Sequence, residues 1–315
     1  MNVRATGVDA SERRGGWSPT VETRLATLES PVRSVLEPHA GSLTAADRIT
    51  LVPDAHYPFH PSSGMVTDPA VVGSIASHLA GWTKAEIAVA GASDDRIAFD
   101  RTAEYLGYPD LLERFDVDLV DLATDSRRET TATVDDRTVT VSVPDRLAES
   151  TVVVVPTLRP TEHGTVAGGM RTLENVVHGD GTTDPDLTAV AATRAIEPAL
   201  TVLDAVTAYS GDPLAADTLL TGPTPGVDAV ASSLLEYSLE EDDALRYALG
   251  DDETPVTVEG GTGAGSDVDL EALRNRLPDG ELPPPDDTHP AVSVAYSVYA
   301  AVAGDAVPPQ LESRR

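Results

Sequence analysis

Apolar residues follow two rhythms along this chain. Short, mainly apolar runs at residues 49–53, 86–91, 117–122 and 151–155 have the length of strands buried in a sheet. The stretches between them place apolar residues three and four apart. Val21, Leu25, Leu28, Val32 and Leu36 make one such face, crossed by Pro31. Residues 68–82 make another, with Pro69 at the first helical position, and 96–106, 109–115 and 185–196 follow. Further strands are expected at 200–205 and 218–221, and further helices at 228–237 and 240–249. This alternation predicts an α/β fold: a mostly parallel sheet covered by helices on both faces. Residues 131–143 break the rhythm with strict alternation around Asp135-Asp136, the pattern of a hairpin, expected on the sheet edge.

Four regions result. Residues 1–45 form an N-terminal helical cover and 46–250 the α/β core domain. Residues 251–289 form an acidic, Gly- and Pro-rich flexible insertion or linker, and 290–315 a C-terminal helix and tail. The last helix, 290–303, carries Val294, Val298 and Val302 with Tyr296 and Tyr299 and is expected to dock back on the domain. It falls short of the ~20 residues a bilayer crossing requires, so no membrane partner is expected.

Charge changes the picture more than composition does. Lys plus Arg number 22 against 52 Asp plus Glu, a net charge of −30, which excludes nucleic-acid binding by a basic surface. Residues 236–287 hold 16 acids and three Arg, a net −13, so most of the excess is spread over the rest of the chain. Lys84 is the only lysine and Asp outnumbers Glu by 32 to 20. A dispersed acidic surface repels itself unless counterions screen it, which points to a salt-adapted cytoplasm such as that of a halophilic archaeon. Arg13-Arg14 leads into no apolar segment, so export is not expected and a cytoplasmic location is. Cys is absent, which removes disulfides, thiolate nucleophiles and Cys-ligated iron–sulfur or zinc sites. A divalent metal, if used, needs His and carboxylate ligands.

Open parallel sheets bind ligands beyond the carboxyl ends of their strands. After the strand at 49–53 come Asp54, His56, Tyr57, Phe59 and His60 within seven residues, a dense group in a chain with few aromatics. It is a substrate or metal loop, or else a proline-stiffened turn whose His residues bond locally. After 151–155 come Arg159, His163 and a Gly-rich turn, then Arg171, Glu174, Asn175 and His178. A helix opening near Thr165 would aim free N–H groups at an anion held by Arg159 and Arg171; alternatively both Arg neutralise nearby acids. Glu174 and His178 would share a helix face. The glycines at 260–265 lack a terminal Gly-Lys and sit among Glu259, Asp267 and Asp269, which favours a linker over a phosphate loop. No Gly-x-Ser-x-Gly elbow supports a hydrolase triad.

Residues 67–72 (Thr-Asp-Pro-Ala-Val-Val), 152–156 with Arg159, Leu173-Glu174-Asn175 with Gly179, Leu203-Asp204-Ala205, and Val227-Asp228-Ala229-Val230-Ala231 form an ordered set. Over roughly residues 49–250 the chain thereby resembles the family called domain of unknown function 362. The resemblance implies an α/β fold and singles out Arg159, Asn175, Asp204 and Asp228, with no established reaction. The family's Pro-x-Leu-Lys-Thr-His stretch has Arg159 at its Lys, and His163 lies two positions late. Its Lys-Asn pair is Glu174-Asn175 here, so lysine-dependent chemistry is not implied. Many relatives carry a Cys-rich ferredoxin-like portion, for whose clusters this chain has no Cys.

The expectation is an enzyme acting on a small anionic metabolite by His-mediated proton transfer. His56 and His163 would exchange protons, Asp54 would orient an imidazole, and Arg159, Arg171, Asn175 and Asp204 would bind substrate. A metal, where present, would be held by Asp54, His56, His60 and His163. The alternative is a non-catalytic small-molecule or cofactor-binding protein with a degenerate site.

Overall fold

Successive side chains of a strand point to opposite faces, so a strand apolar at every position supplies two cores at once. The computed structural model, which describes residues 1–9, 21–95, 97–179, 184–250, 256–260, 268–277 and 282, uses its apolar strands in this way. The strands are β1 (Asn2–Gly7), β2 (Arg48–Pro53), β3 (Glu86–Gly91), β4 (Asp118–Asp121), β5 (Arg127–Val134), β6 (Arg137–Pro144), β7 (Thr151–Val155), β8 (His178–Gly179), β9 (Leu200–Tyr209), β10 (Pro213–Gly222) and β11 (Thr257–Gly260). The helices are α1 (Val21–Leu36), α2 (Ala40–Thr44), α3 (Pro69–Trp82), α4 (Phe99–Leu106), α5 (Tyr108–Glu113), α6 (Asp145–Ala148), α7 (Gly169–Glu174), α8 (Pro185–Ile196), α9 (Thr224–Leu234), α10 (Asp243–Leu249) and α11 (Leu270–Arg274).

Eight strands form one sheet in the order β11-β1-β10-β9-β7-β2-β3-β4. Only β10 runs against the others, being antiparallel to both β9 and β1. The predicted α/β architecture, mostly parallel and covered on both faces, is the one observed. In β7, Val153 and Val155 join Ile49, Leu51, Val72 and Ile75 in a core beneath α1 and α3. Val152 and Val154 face the other way, against Val52, Met170, Leu173 and Val190 beneath α7 and α8. A third core sits at the β1–β10 end, where Val3, Leu203 and Leu220 meet Val227 of α9 and Leu273 of α11. Asp68 caps α3 by accepting the Ala70 N–H at 2.9 Å, and Pro69 takes the first helical position, where its missing N–H has no consequence.

Three placements differ from expectation. The hairpin at β5 and β6 forms, with Asp135 and Asp136 both at positive φ (46° and 59°), as a two-residue turn matched to strand twist requires. It does not extend the main sheet: it makes a separate three-stranded sheet with β8. Its apolar face, Val134, Val139, Val141 and Val143, is buried in the core that includes Leu187 and Val190 of α8. Packing of that face, rather than hydrogen bonding at an edge, fixes its position. The segment at 1–45 does supply a helical cover in α1, but it begins with a strand, β1, inserted between β10 and β11. Within 251–289, residues 257–260 pair in parallel with β1, and 270–274 form α11, whose Leu273 is buried together with Leu277. The remaining residues of that insertion and the expected helix at 290–303 lie outside the described residues. Among the described residues no helix is long and apolar enough to cross a membrane.

Candidate functional site

After β2 the chain moves outward to β3 and β4; after β7 it moves the other way to β9. The strand order therefore reverses between β2 and β7, the position at which open α/β sheets carry their ligand crevices. Asp54 is the first residue past β2. Its N–H donates to the Val155 carbonyl (3.2 Å) and to Thr67 Oγ1 (3.0 Å), which fixes the backbone at the lip of the sheet.

The Asp54 carboxylate gathers the two loops. Its Oδ1 lies 2.6 Å from His56 Nδ1, and its Oδ2 accepts from Arg159 Nε (3.2 Å) and Nη2 (3.1 Å). Asp54 and Arg159 are both buried, while the His56 side chain keeps 21% exposure. Burial alone would raise the Asp54 pKa, but the Arg159 charge, the His56 ring and their hydrogen bonds overcome it and hold the carboxyl at about 2. An ionised carboxylate only accepts hydrogen bonds, so His56 must donate from Nδ1, and its Nε2 becomes the acceptor in the neutral ring. Arg159 Nη2 also lies 3.5 Å from Nδ1, and because both nitrogens then carry protons this is proximity, not a bond.

Deeper in, Asp204 of β9 accepts the Asp68 N–H (2.7 Å) and the Val206 N–H (2.9 Å). Asp68 in turn pairs with Arg24 of α1. Asp204, expected to bind substrate, is 2% exposed and occupied with tying β9 to the start of α3. The Tyr108 hydroxyl is buried here with no hydrogen-bond partner among the described residues. Burial, followed by the charges of Asp68, Asp204 and Asp54, drives its pKa well up, so the phenol stays neutral.

The other expected residues gather elsewhere. Arg171 is buried and bonded to Glu174 (2.9 Å) and to Asp186 of α8, so its charge closes an internal cluster and not an anion pocket. His163 is exposed and lies near Glu174. Asn175 is exposed at the end of α7. His60 uses Nδ1 against Ser62, meeting its Oγ at 2.7 Å and accepting its N–H at 3.2 Å, as the cap of a single helical turn. The expected metal set of Asp54, His56, His60 and His163 is therefore not assembled: only the first two meet. Among the described residues no three His, Asp or Glu side chains converge to hold a metal ion. Glu174 ends α7 and His178 lies in β8, so they share no helix face.

The helix after β7 opens at Gly169 rather than near Thr165, and the acceptor at its N-terminus is the protein's own carboxyl group. Asp228, inside α9, accepts the Gly169 N–H (2.7 Å) and the Met170 N–H (2.9 Å). Burial pushes its pKa up to about 7, with Asp242 adding to the rise against the two N–H bonds and Arg171. Asp242 accepts the Thr165 N–H (2.8 Å) and Oγ1–H (3.0 Å) while capping α10 through Leu245 N–H (3.0 Å). Together the two carboxylates pin the 165–170 segment that follows Arg159. Two glycines make this possible. A Cβ at Gly168 would overlap the Asp228 carboxylate; Gly164 has φ +91° and a Cβ there would stand 2.6 Å from Asp242 Oδ2. Asp228 is among the residues that the family resemblance singles out; Asp242 is not.

These features define an α/β protein with a buried carboxylate, an imidazole and a guanidinium at the reversal point of a mostly parallel sheet. The chain belongs to the domain of unknown function family DUF362, whose model matches residues 49–232, from the start of β2 into α9. That span contains the loops that follow β2 and β7 and the Asp228 brace. No curated protein and no solved structure matches the chain.

Proposed function

We propose that the protein is an enzyme that takes a small anionic metabolite at the β2–β7 crevice and moves a proton through His56. The observation that carries this reading is the 2.6 Å contact between the buried Asp54 carboxylate and His56 Nδ1. It sets the ring so that Nε2 is the proton acceptor on a partly exposed imidazole. Arg159 supports the anion half. Nε and Nη2 hold Asp54, whereas Nη1 meets only the Pro160 carbonyl at a marginal 3.5 Å, which leaves its N–H groups for a ligand carboxylate or phosphate. His163, Arg171, Asn175 and Asp204 are not needed. A net charge of −30 with one lysine supports a salt-adapted cytoplasm, so assays belong in concentrated salt.

The test is native mass spectrometry for a co-purifying molecule, followed by thermal shift against small carboxylates and phosphates. Solvent deuterium incorporation into the bound compound then reports proton transfer. His56→Gln should keep the ligand-dependent thermal shift and lose deuterium incorporation. Arg159→Lys, which keeps a charge beside Asp54, should weaken the shift. Deuterium incorporation that survives His56→Gln refutes the role of the imidazole; binding without any incorporation in the unaltered protein favours a non-catalytic binder.

A further inference from the structure

The described residues expose four large apolar side chains: Val21, Leu239, Val258 and Leu282. Two of them, Leu239 and Val258, line the same groove of about 830 Å³. It is lined by Val230 and Leu234 of α9, Leu249 of α10, Val258 of β11 and Leu270 of α11. An apolar trough of this size on a chain of net charge −30 is costly to leave open to water, and such patches mark places where something docks.

The sequence bordering the groove narrows the choice of occupant. Residues 251–255 read Asp-Asp-Glu-Thr-Pro and 261–267 read Gly-Thr-Gly-Ala-Gly-Ser-Asp, too polar to fill it. Residues 290–303 hold no charged side chain and repeat Val at 294, 298 and 302, one face at helical spacing. Arg274 of α11 lines the groove, and the twelve residues 278–289 then span up to ~40 Å, enough to reach any part of it. Arg246 and Glu271 also line the groove and suit an uncharged insert by staying at the water-facing rim.

We propose that the groove is the docking site of the chain's own residues 290–303, seated as an apolar helix across α9, α10 and α11. The third core is then closed from outside by a segment of the same chain, and Leu239 and Val258 are its contacts.

Because the sequence has no Cys, paired cysteine variants report proximity cleanly. Ser233→Cys, at an exposed position lining the groove, is combined in turn with Ser293→Cys and Ser297→Cys in the full chain. Mild oxidation should give an intramolecular disulfide with at least one partner, several-fold faster than in a control pairing the same partner with Ser42→Cys on α2. No preference over the control overturns the proposal, and disulfide-linked dimers assign the groove to a second copy and also overturn it. Independently, Val298→Asp should raise apolar-dye binding and speed amide exchange in α9 and α10 about tenfold; unchanged exchange overturns the proposal. Neither readout involves His56 or a ligand, so failure here leaves the proton-transfer reading standing.

Discussion

Asp228 has a folded-state pKa far above that of an exposed carboxyl, and it makes a definite thermodynamic prediction. Its pKa is about 7 in the folded chain, against 3.8 for the exposed group. Between those values the folded chain retains a proton that the unfolded chain has released, so each rise in pH favours unfolding. The stability associated with the protonated group is fully present below pH 3.8 and is lost as pH climbs through 7. With about 1.4 kcal/mol per unit, the loss is on the order of 4 kcal/mol. Asp228→Asn removes the titration and still offers one acceptor to the Gly169 and Met170 N–H groups. The assay is denaturant unfolding of both proteins from pH 4 to 8.5 at constant high salt, compared as a difference so that other acids cancel. The unaltered protein should lose several kcal/mol relative to Asp228→Asn across that range. A difference that stays flat with pH refutes the argument that burial beside Asp242 dominates the two N–H bonds.

Asp54 behaves oppositely. Its pKa of about 2 means that its ionised form stabilises the fold above pH 3.8 by roughly 2–3 kcal/mol, a contribution lost as pH falls towards 2. Asp54→Asn should cost that amount in unfolding experiments at pH 7 and flatten the acid limb. Gly168→Ala puts a methyl where the Asp228 carboxylate lies and should destabilise by about 2–3 kcal/mol, read as a lower midpoint in chemical denaturation. Tyr108→Phe deletes a buried hydroxyl without a partner and should leave stability unchanged or raise it by about 1 kcal/mol; a clear loss would mean that the hydroxyl is satisfied in solution.

What could be read from sequence is what local chemistry decides. The Val quartet of β7 needs two cores, and both exist; Asp68-Pro69 opens a helix wherever it sits; Asp135-Asp136 turns a hairpin. Where the hairpin goes depends on the face of α8, far along the chain, and no local pattern encodes that. β1 was hidden because six residues of mixed polarity become a strand only when β10 and β11 flank them. At the site, the meeting of Asp54, His56 and Arg159 follows from β2 and β7 being parallel neighbours at a reversal of order, and the alternation of elements does not fix which strands are neighbours. The partners of Arg171 do not follow: Asp186 reaches it only because α8 packs against α7.

The crevice also shows how an acid-rich chain with few cations decides which carboxylates stay charged. Asp54 and Asp68 each receive a guanidinium, from Arg159 and Arg24. Asp204, Asp228 and Asp242 each accept backbone N–H groups. At Asp54, with its guanidinium, the pKa falls to about 2; at Asp228, with N–H bonds and a neighbouring acid, it rises to about 7. The carboxylate that must be ionised for His56 to keep its proton on Nδ1 is thus the one given an arginine. Arg159 therefore acts on the imidazole through Asp54 as well as on a ligand through Nη1. Neutralising it should raise the Asp54 pKa towards that of Asp228 and release the ring from a single tautomer. In the Arg159→Gln variant, the His56 nitrogen resonances should show mixed protonation at a pH where the unaltered protein shows Nδ1–H alone.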